Sequence, residues 1–309
     1  MRYLLTGLIS LFLTLPISAC DICGCSSGSN SLGVLPRFQS SFIGIRYQTQ
    51  QFRSKPHHIL NEQFDGSREI FHTTEIWGRY NPHRRVQIFG FIPYRMNDRI
   101  EGNNSLMNKG LGDMQLLINY LAYYTPIESN SIFKQSLQFG AGIKLPTGNY
   151  TKLNNGLFIH QNMQIGSGSF DIPMNLIYSF RRKKMGFTLE TNYKLNGSNS
   201  MGYSFGNRLN AALRGLRWIE KPKITYLPQI SSSVEYASID QQNNVDIEFT
   251  GGTTLLASLG CDLYLKRFAF GLHFHQPYYQ NLGEGYTNSK TRMMANFIYL
   301  FNTKQKHEK

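Results

Sequence analysis

Along most of this chain apolar and polar residues alternate one by one. In "LQFGAGIKL" at 137–145, Leu137, Phe139, Ala141, Ile143 and Leu145 fall on one face, and Gln138, Gly140, Gly142 and Lys144 on the other. A period of two is that of a β-strand, whose successive side chains point to opposite sides. The stretch "MGFTLETNYKL" at 185–195 repeats it, with Met185, Phe187, Leu189, Tyr193 and Leu195 opposite Gly186, Thr188, Glu190, Asn192 and Lys194. An apolar strand face looks into a core in a soluble sandwich and out at lipid in a membrane barrel. The period predicts strands without choosing between the two.

The connections make the choice. Twelve candidate strands fall at 37–52, 69–80, 85–97, 112–125, 134–146, 170–181, 185–196, 204–217, 223–237, 251–265, 268–279 and 290–301. Connections after even-numbered strands are short, as in "NPHR" at 81–84, "RKK" at 182–184 and "KR" at 266–267. Those after odd-numbered strands are mostly longer, polar and rich in Gly and Asn: 53–68, 98–111, 147–169, 238–250 and 280–289, with 197–203 shorter. A soluble sandwich has no reason to sort its loops by parity. Outer-membrane barrels do, with an even strand number, short periplasmic turns and longer extracellular loops. The predicted fold is all-β, an antiparallel transmembrane β-barrel of about twelve strands over 37–301.

The N-terminus agrees with export. One charge, Arg2, precedes an apolar run from Leu4 to Leu15 and small residues ending in Ser18-Ala19, so 1–19 read as a signal peptide. The run is too short for a membrane-spanning helix, which takes roughly 20 residues. Residues 20–36 then form a Cys-, Gly- and Ser-rich segment on the periplasmic side, and 302–309 a polar tail. The formal net charge is +13, with one positive charge in the leader. The longest basic run is the four residues Arg181 to Lys184, and an exported chain has little access to nucleic acid, so none is expected as a partner. Basic loops instead suit outer-membrane lipid and lipopolysaccharide.

The last candidate strand, "RMMANFIYLF", puts Met293, Ala295, Phe297, Tyr299 and Phe301 on one face and ends in an aromatic residue, the type of signal that barrel-assembly machinery reads. The tail "NTKQKHEK" beyond it is a departure from that pattern. Aromatic residues are abundant, 18 Tyr and 21 Phe, and several sit at strand ends, among them Tyr120, Tyr123, Tyr124, Tyr278 and Tyr279. Such positions suit interfacial girdles.

Three short patterns carry a family resemblance. "GLGD" at 110–113 opens a strand, "KLPTG" at 144–148 closes the next, and "GSGS" at 166–169 opens the one after. In this order the chain resembles the outer-membrane transporter superfamily typified by the "MetA-pathway of phenol degradation" proteins. It also looks like a Bacteroidetes-type group that begins with a "CDICGC"-like segment. The resemblance implies a barrel of uptake function without defining its cargo.

With apolar faces turned to lipid, the opposite faces line a lumen. They offer Arg85, Gln87 and Arg95 on the third strand, Lys144 on the fifth, Glu190 and Lys194 on the seventh, and Arg208 and Arg214 on the eighth. Glu235 on the ninth and Asp262 on the tenth complete a polar, mildly cationic wall. Twelve strands enclose a space between that of small filled barrels and that of large porins; a narrow path and a side-chain-filled interior both stay open. A porin-like channel or transporter for a small solute is the expected function. On the eleventh strand His273 and His275 share a face and so could share a metal, or serve as hydrogen-bonded wall residues. The chain has no Gly-x-Ser-x-Gly, His-Glu-x-x-His, P-loop or dinucleotide fingerprint, so no enzyme is expected.

Cys261 falls on the apolar face of the tenth strand, as a small hydrophobe. The other three cysteines, Cys20, Cys23 and Cys25, lie within "ISACDICGCS". Cys20 follows a lipoprotein-type cleavage pattern, which makes it a possible lipidation site beside simple cleavage after Ala19. A disulfide between Cys23 and Cys25 would be strained, whereas three thiolates on a flexible segment suit a soft ion, Cu(I) or Zn(II). The alternative function is therefore a metal-linked outer-membrane binding protein, with the barrel as anchor.

Overall fold

Closure is the first consequence of the alternating sequence. In a computed structural model of the protein, residues 40–55, 57–59, 62–64, 66–126 and 131–301 are described. Twelve antiparallel strands run in chain order: β1 Ser41–Ser54, β2 Ser67–His83, β3 Val86–Glu101, β4 Gln115–Tyr124, β5 Phe133–Lys144, β6 Asp171–Arg182, β7 Met185–Asn196, β8 Arg208–Arg217, β9 Thr225–Ala237, β10 Gly252–Leu265, β11 Phe268–Leu282 and β12 Arg292–Phe301. Each pairs with its sequence neighbours, and β12 returns to β1 from Ser41 opposite Phe301 to Thr49 opposite Met293. The sheet is a closed barrel with no free edge, the condition for spanning hydrocarbon with strands. No α-helix occurs among the described residues.

The period of two decides what faces where. On β1, Ile43, Ile45 and Tyr47 are exposed on the outside, while Phe42, Arg46, Gln50 and Phe52 are buried inside. The outer wall stays apolar around the barrel: Leu259 is 63 % and Ile230 64 % exposed. A continuous apolar belt of this kind exceeds the few hundred square ångströms that a soluble monomer leaves bare. Cys261 lies on this outer face, between Leu259 and Leu263.

Strand bounds match the sequence expectation to within a few residues, with one consequence for a predicted lining residue. β2 continues to His83, which pairs with Val86, so the turn shrinks to Arg84-Arg85. Arg85 is therefore not a lumen residue: it is exposed in the turn, and its guanidinium donates to the Tyr120 hydroxyl at 3.3 Å. Two bulges adjust the girdle tyrosines. One lies between Leu121 and Tyr123, leaving Tyr120 and Tyr123 both outward; the other, opposite Leu255-Leu256, absorbs Tyr278 beside Pro277, which has no N–H for the ladder.

The barrel has two unlike ends. Two-residue turns Arg84-Arg85, Lys183-Lys184 and Lys266-Arg267 mark one, and connections such as 145–170 and 238–251 mark the other. Near the short-turn end an apolar cluster fills much of the interior, beside the buried polar side chains of Arg79, Asn81, Gln87, Asn119 and Gln138. Phe42, Trp77, Phe89, Phe91, Leu117, Ile177, Ala269, Ile298 and Leu300 converge from seven strands, and Leu216, Trp218 and Leu227 extend the cluster. These residues form a floor. The proposed leader 1–19, the segment 20–36 with Cys20, Cys23 and Cys25, and the tail 302–309 lie outside the described residues.

Candidate functional site

The three glycine-rich patterns meet in space. Asp113 of "GLGD" follows the hairpin strand Asn104–Leu111, Lys144 of "KLPTG" ends β5, and Ser167 of "GSGS" precedes β6. Lys144 Nζ lies 3.0 Å from Asp113 Oδ2 and 2.6 Å from Asp171 Oδ2, and it also donates to the Ser167 hydroxyl. The Gly148 amide donates to Asp113 Oδ1 and the Ser167 amide and hydroxyl to Oδ2, all at 2.9 Å. Thr147 completes the knot by donating to the Gly112 carbonyl at 3.0 Å while accepting from the Met114 amide. The glycines matter for close approach: a Cβ on Gly166 would lie 2.3 Å from the Gly148 carbonyl oxygen. Burial alone would raise the Asp113 pKa, but Lys144 and the two backbone amides outweigh it and hold the carboxyl below the ordinary range.

This latch ties down the longest loop, and the loop enters the barrel. Ile159, Asn162, Met163, Gln164 and Ile165 are buried. Asn108 donates to the Met163 carbonyl at 2.9 Å, Asn97 to the Gln164 carbonyl at 3.3 Å, and Arg95 to the Ile165 carbonyl at 3.3 Å. Met163 packs with Phe52, Phe71 and Leu282 inside the rim. A turn at Asn155-Gly156, both with positive φ, returns the loop as a small hairpin. Lys194 lies at the edge of the latch, 3.8 Å from Asp171, and Arg208 is its cross-strand neighbour on β8.

Between latch and floor an internal space remains. It is a solvent-open pocket bounded by β1, Trp77 of β2 and β7 to β12. Its charged residues come in pairs. Arg46 is paired with Glu75, Arg214 lies 3.9 Å from Glu190, and Arg292 lies 2.8 Å from Glu235. Asp262 accepts from Gln229 at 2.8 Å and sits 3.0 Å from His273 Nε2. Neutral side chains, including Gln48, Asn192, Asn210, Ser231, Ser233 and Asn296, fill the wall between them.

Of the predicted lining residues, Glu190, Arg214, Glu235 and Asp262 meet in this pocket, and Arg95, Lys144, Lys194 and Arg208 lie above it at the latch side. The histidines both face inward and take separate partners: His273 meets Asp262, while His275 Nδ1 is 2.7 Å from the Ser258 hydroxyl. Among the described residues no three or more His, Cys, Asp or Glu side chains converge as a metal set. The sequence reading missed Arg46, Glu75 and Arg292. Arg46 was within reach, since Ile43, Ile45 and Tyr47 alternate with it; its partner was not, because Glu75 follows only from the pairing of β1 with β2.

No protein-family model and no curated protein sequence matches the chain. Solved structures do. The protein is similar to the COG4313 outer membrane channel from Pseudomonas putida F1, at 12 % identity and a TM-score of 0.62, with 88 % of this chain and 98 % of the channel covered. It is similar also to the β domain of the Bordetella autotransporter Brka, at 11 % identity and a TM-score of 0.50, covering 85 % and 100 % of the two chains. The fold is that of bacterial outer-membrane barrels.

Proposed function

We propose that this protein is an outer-membrane channel through which a small solute crosses, with the mid-lumen pocket as its station. The observation that carries the reading is the solvent-open pocket, lined mainly by polar side chains, inside a closed twelve-stranded barrel. A barrel built only as an anchor gains nothing from such a space, whereas a concave pocket with convergent polar groups suits a small ligand. The similarity to a channel from Pseudomonas putida supports the same reading. In this proposal the short turns and the N-terminus face the periplasm, and the long loops face lipopolysaccharide. The apolar outer belt meets lipid, and barrel-assembly machinery inserts the chain. None of this calls for catalysis.

The test is direct. The purified protein should migrate differently on a denaturing gel before and after heating, and should conduct in planar lipid bilayers. A folded barrel with neither conductance nor solute uptake overturns the proposal.

A second reading rests on the three thiols Cys20, Cys23 and Cys25 within six residues. It makes the N-terminal segment a soft-metal site, for Cu(I) or Zn(II), carried by the barrel. Replacing Cys23 and Cys25 with Ser should then abolish Cu(I) binding by the full-length protein, and unchanged stoichiometry rules it out.

A further inference from the structure

We infer, resting on the channel reading above, that the solute is uncharged and hydroxyl-rich, of the small-sugar or polyol class. It moves along a track of carboxamides that winds through the lumen.

The strand register lays the track down. Gln87 pairs across strands with Asn119, Asn119 with Gly140, Gly140 with Asn175, Asn175 with Asn192, Asn192 with Asn210, and Asn210 with Glu235. All of these positions point inward. Barrel strands tilt, so a row of registered neighbours climbs as it circles the wall. Gln87 is the second residue of β3, at the short-turn end, and Glu235 is two residues from the long-loop end of β9. One row thus links the floor to the upper pocket. Five of its seven members are amides.

A carboxamide offers a donor and an acceptor from one group, and so does a hydroxyl. The rest of the pocket repeats this chemistry in Gln48, Ser231, Ser233 and Asn296. Its ions do not compete for the solute, because Arg46, Arg214, Arg292 and Asp262 each hold a partner within the wall. A charged solute gains a contact there only by taking one member of a buried pair from the other, which leaves a buried charge exposed to low dielectric. The wall therefore favours neutral cargo.

The lower track carries the second, independent observation. Asn119 is 0 % exposed and Asn175 is buried, yet among the described residues neither the Oδ1 nor the Nδ2 of either finds a hydrogen-bond partner. Buried amides without partners are rare and unfavourable. Gly140 lies between them in the row, and Asn119 occupies the space a side chain there would take, since a Cβ would lie 2.0 Å from its Oδ1. Two unmet amides on the route through the floor are binding groups for a guest that both donates and accepts. We assign them as the closed lower section of the track.

Liposome swelling and planar bilayers test this on the full-length protein. Arabinose and glucose should enter faster than potassium gluconate or arginine hydrochloride, and the reversal potential across a KCl gradient should stay near zero. The double variant Asn119→Leu, Asn175→Leu keeps shape while removing both unmet amides. Its sugar flux should fall about ten-fold, the loss of roughly one hydrogen bond at the barrier, with the heating temperature that unfolds the barrel unchanged or raised. The single variant Asn192→Leu, in the open pocket, gives a second reading of sugar flux if the double variant does not fold. Gluconate or arginine passing as fast as glucose overturns this inference alone, as does unchanged sugar flux in folded variants. Absence of all flux overturns it together with the channel reading.

Discussion

Asp113 concentrates more of the site's chemistry than any other single residue. Its two oxygens accept from the Gly148 and Ser167 amides and the Ser167 hydroxyl and face the Lys144 ammonium, with Arg95 also nearby. The Asp113→Asn substitution keeps the shape and removes the charge. It should weaken the latch by about 1–3 kcal/mol rather than the larger cost of fully stranding a buried ion, because Lys144 keeps Asp171 at 2.6 Å. The readout is faster proteolysis within 147–169 of the folded barrel; an unchanged digestion rate counts against the latch. The sign of the pH effect follows from the lowered carboxyl pKa. The stabilisation is complete above the ordinary value of 3.8 and is lost as pH falls through the lower folded value. Loop proteolysis by an acid-tolerant protease should therefore stay slow down to about pH 4 and rise only below it.

At the scale of elements, strands and loops were unequally legible. All twelve strands announced themselves because alternation is a local property: "LQFGAGIKL" carries its own two faces whatever it pairs with. Arg85 was misplaced because a turn can tighten to two residues without altering the alternation on either side. The inserted loop left no such trace. Ile159, Met163 and Ile165 are buried by the barrel around them, and no period in 147–169 foretells it. "GLGD", "KLPTG" and "GSGS" were visible as patterns, but that they join into one knot depends on the closure of β3 to β6. Ion pairs such as Arg292 with Glu235, 57 residues apart, depend on closure as well. The Gly166→Ala substitution tests the element directly. Its methyl would meet the Gly148 carbonyl oxygen, a backbone atom, and, at 2.7 Å, Asp113 Oδ1, which the Gly148 amide holds. Overpacking of this kind costs about 1–3 kcal/mol. The loop should leave the rim and conductance should increase while the barrel still shows heat-modifiable migration. Conductance equal to that of the parent protein means the loop does not narrow the path.

The whole molecule reads as a lumen in three levels: a latched loop above, a polar pocket in the middle and an aromatic-rich floor below. The floor is unusual, because aromatic side chains inside an outer-membrane barrel exclude the water that a wide pore would hold. Phe91 is its centre, stacked at 6.3 Å on Trp77 and at 6.4 Å on Phe89. Trp77 is in turn held by Phe42 edge-on at 4.6 Å and by the Arg46 guanidinium 4.8 Å above its ring. Trp77 and Ile298 also line the pocket, so floor and pocket share two residues. Truncating the central ring should therefore act on both stability and conduction. Phe91→Ala removes a buried aromatic, which costs about 3–5 kcal/mol, and the barrel should unfold at a lower temperature in the gel assay. The space left behind would join the pocket to the short-turn end, so single-channel conductance should rise above that of the parent. The two effects separate the floor's possible roles. Lower stability with unchanged conductance makes it packing alone; lower stability with higher conductance makes it a barrier to conduction.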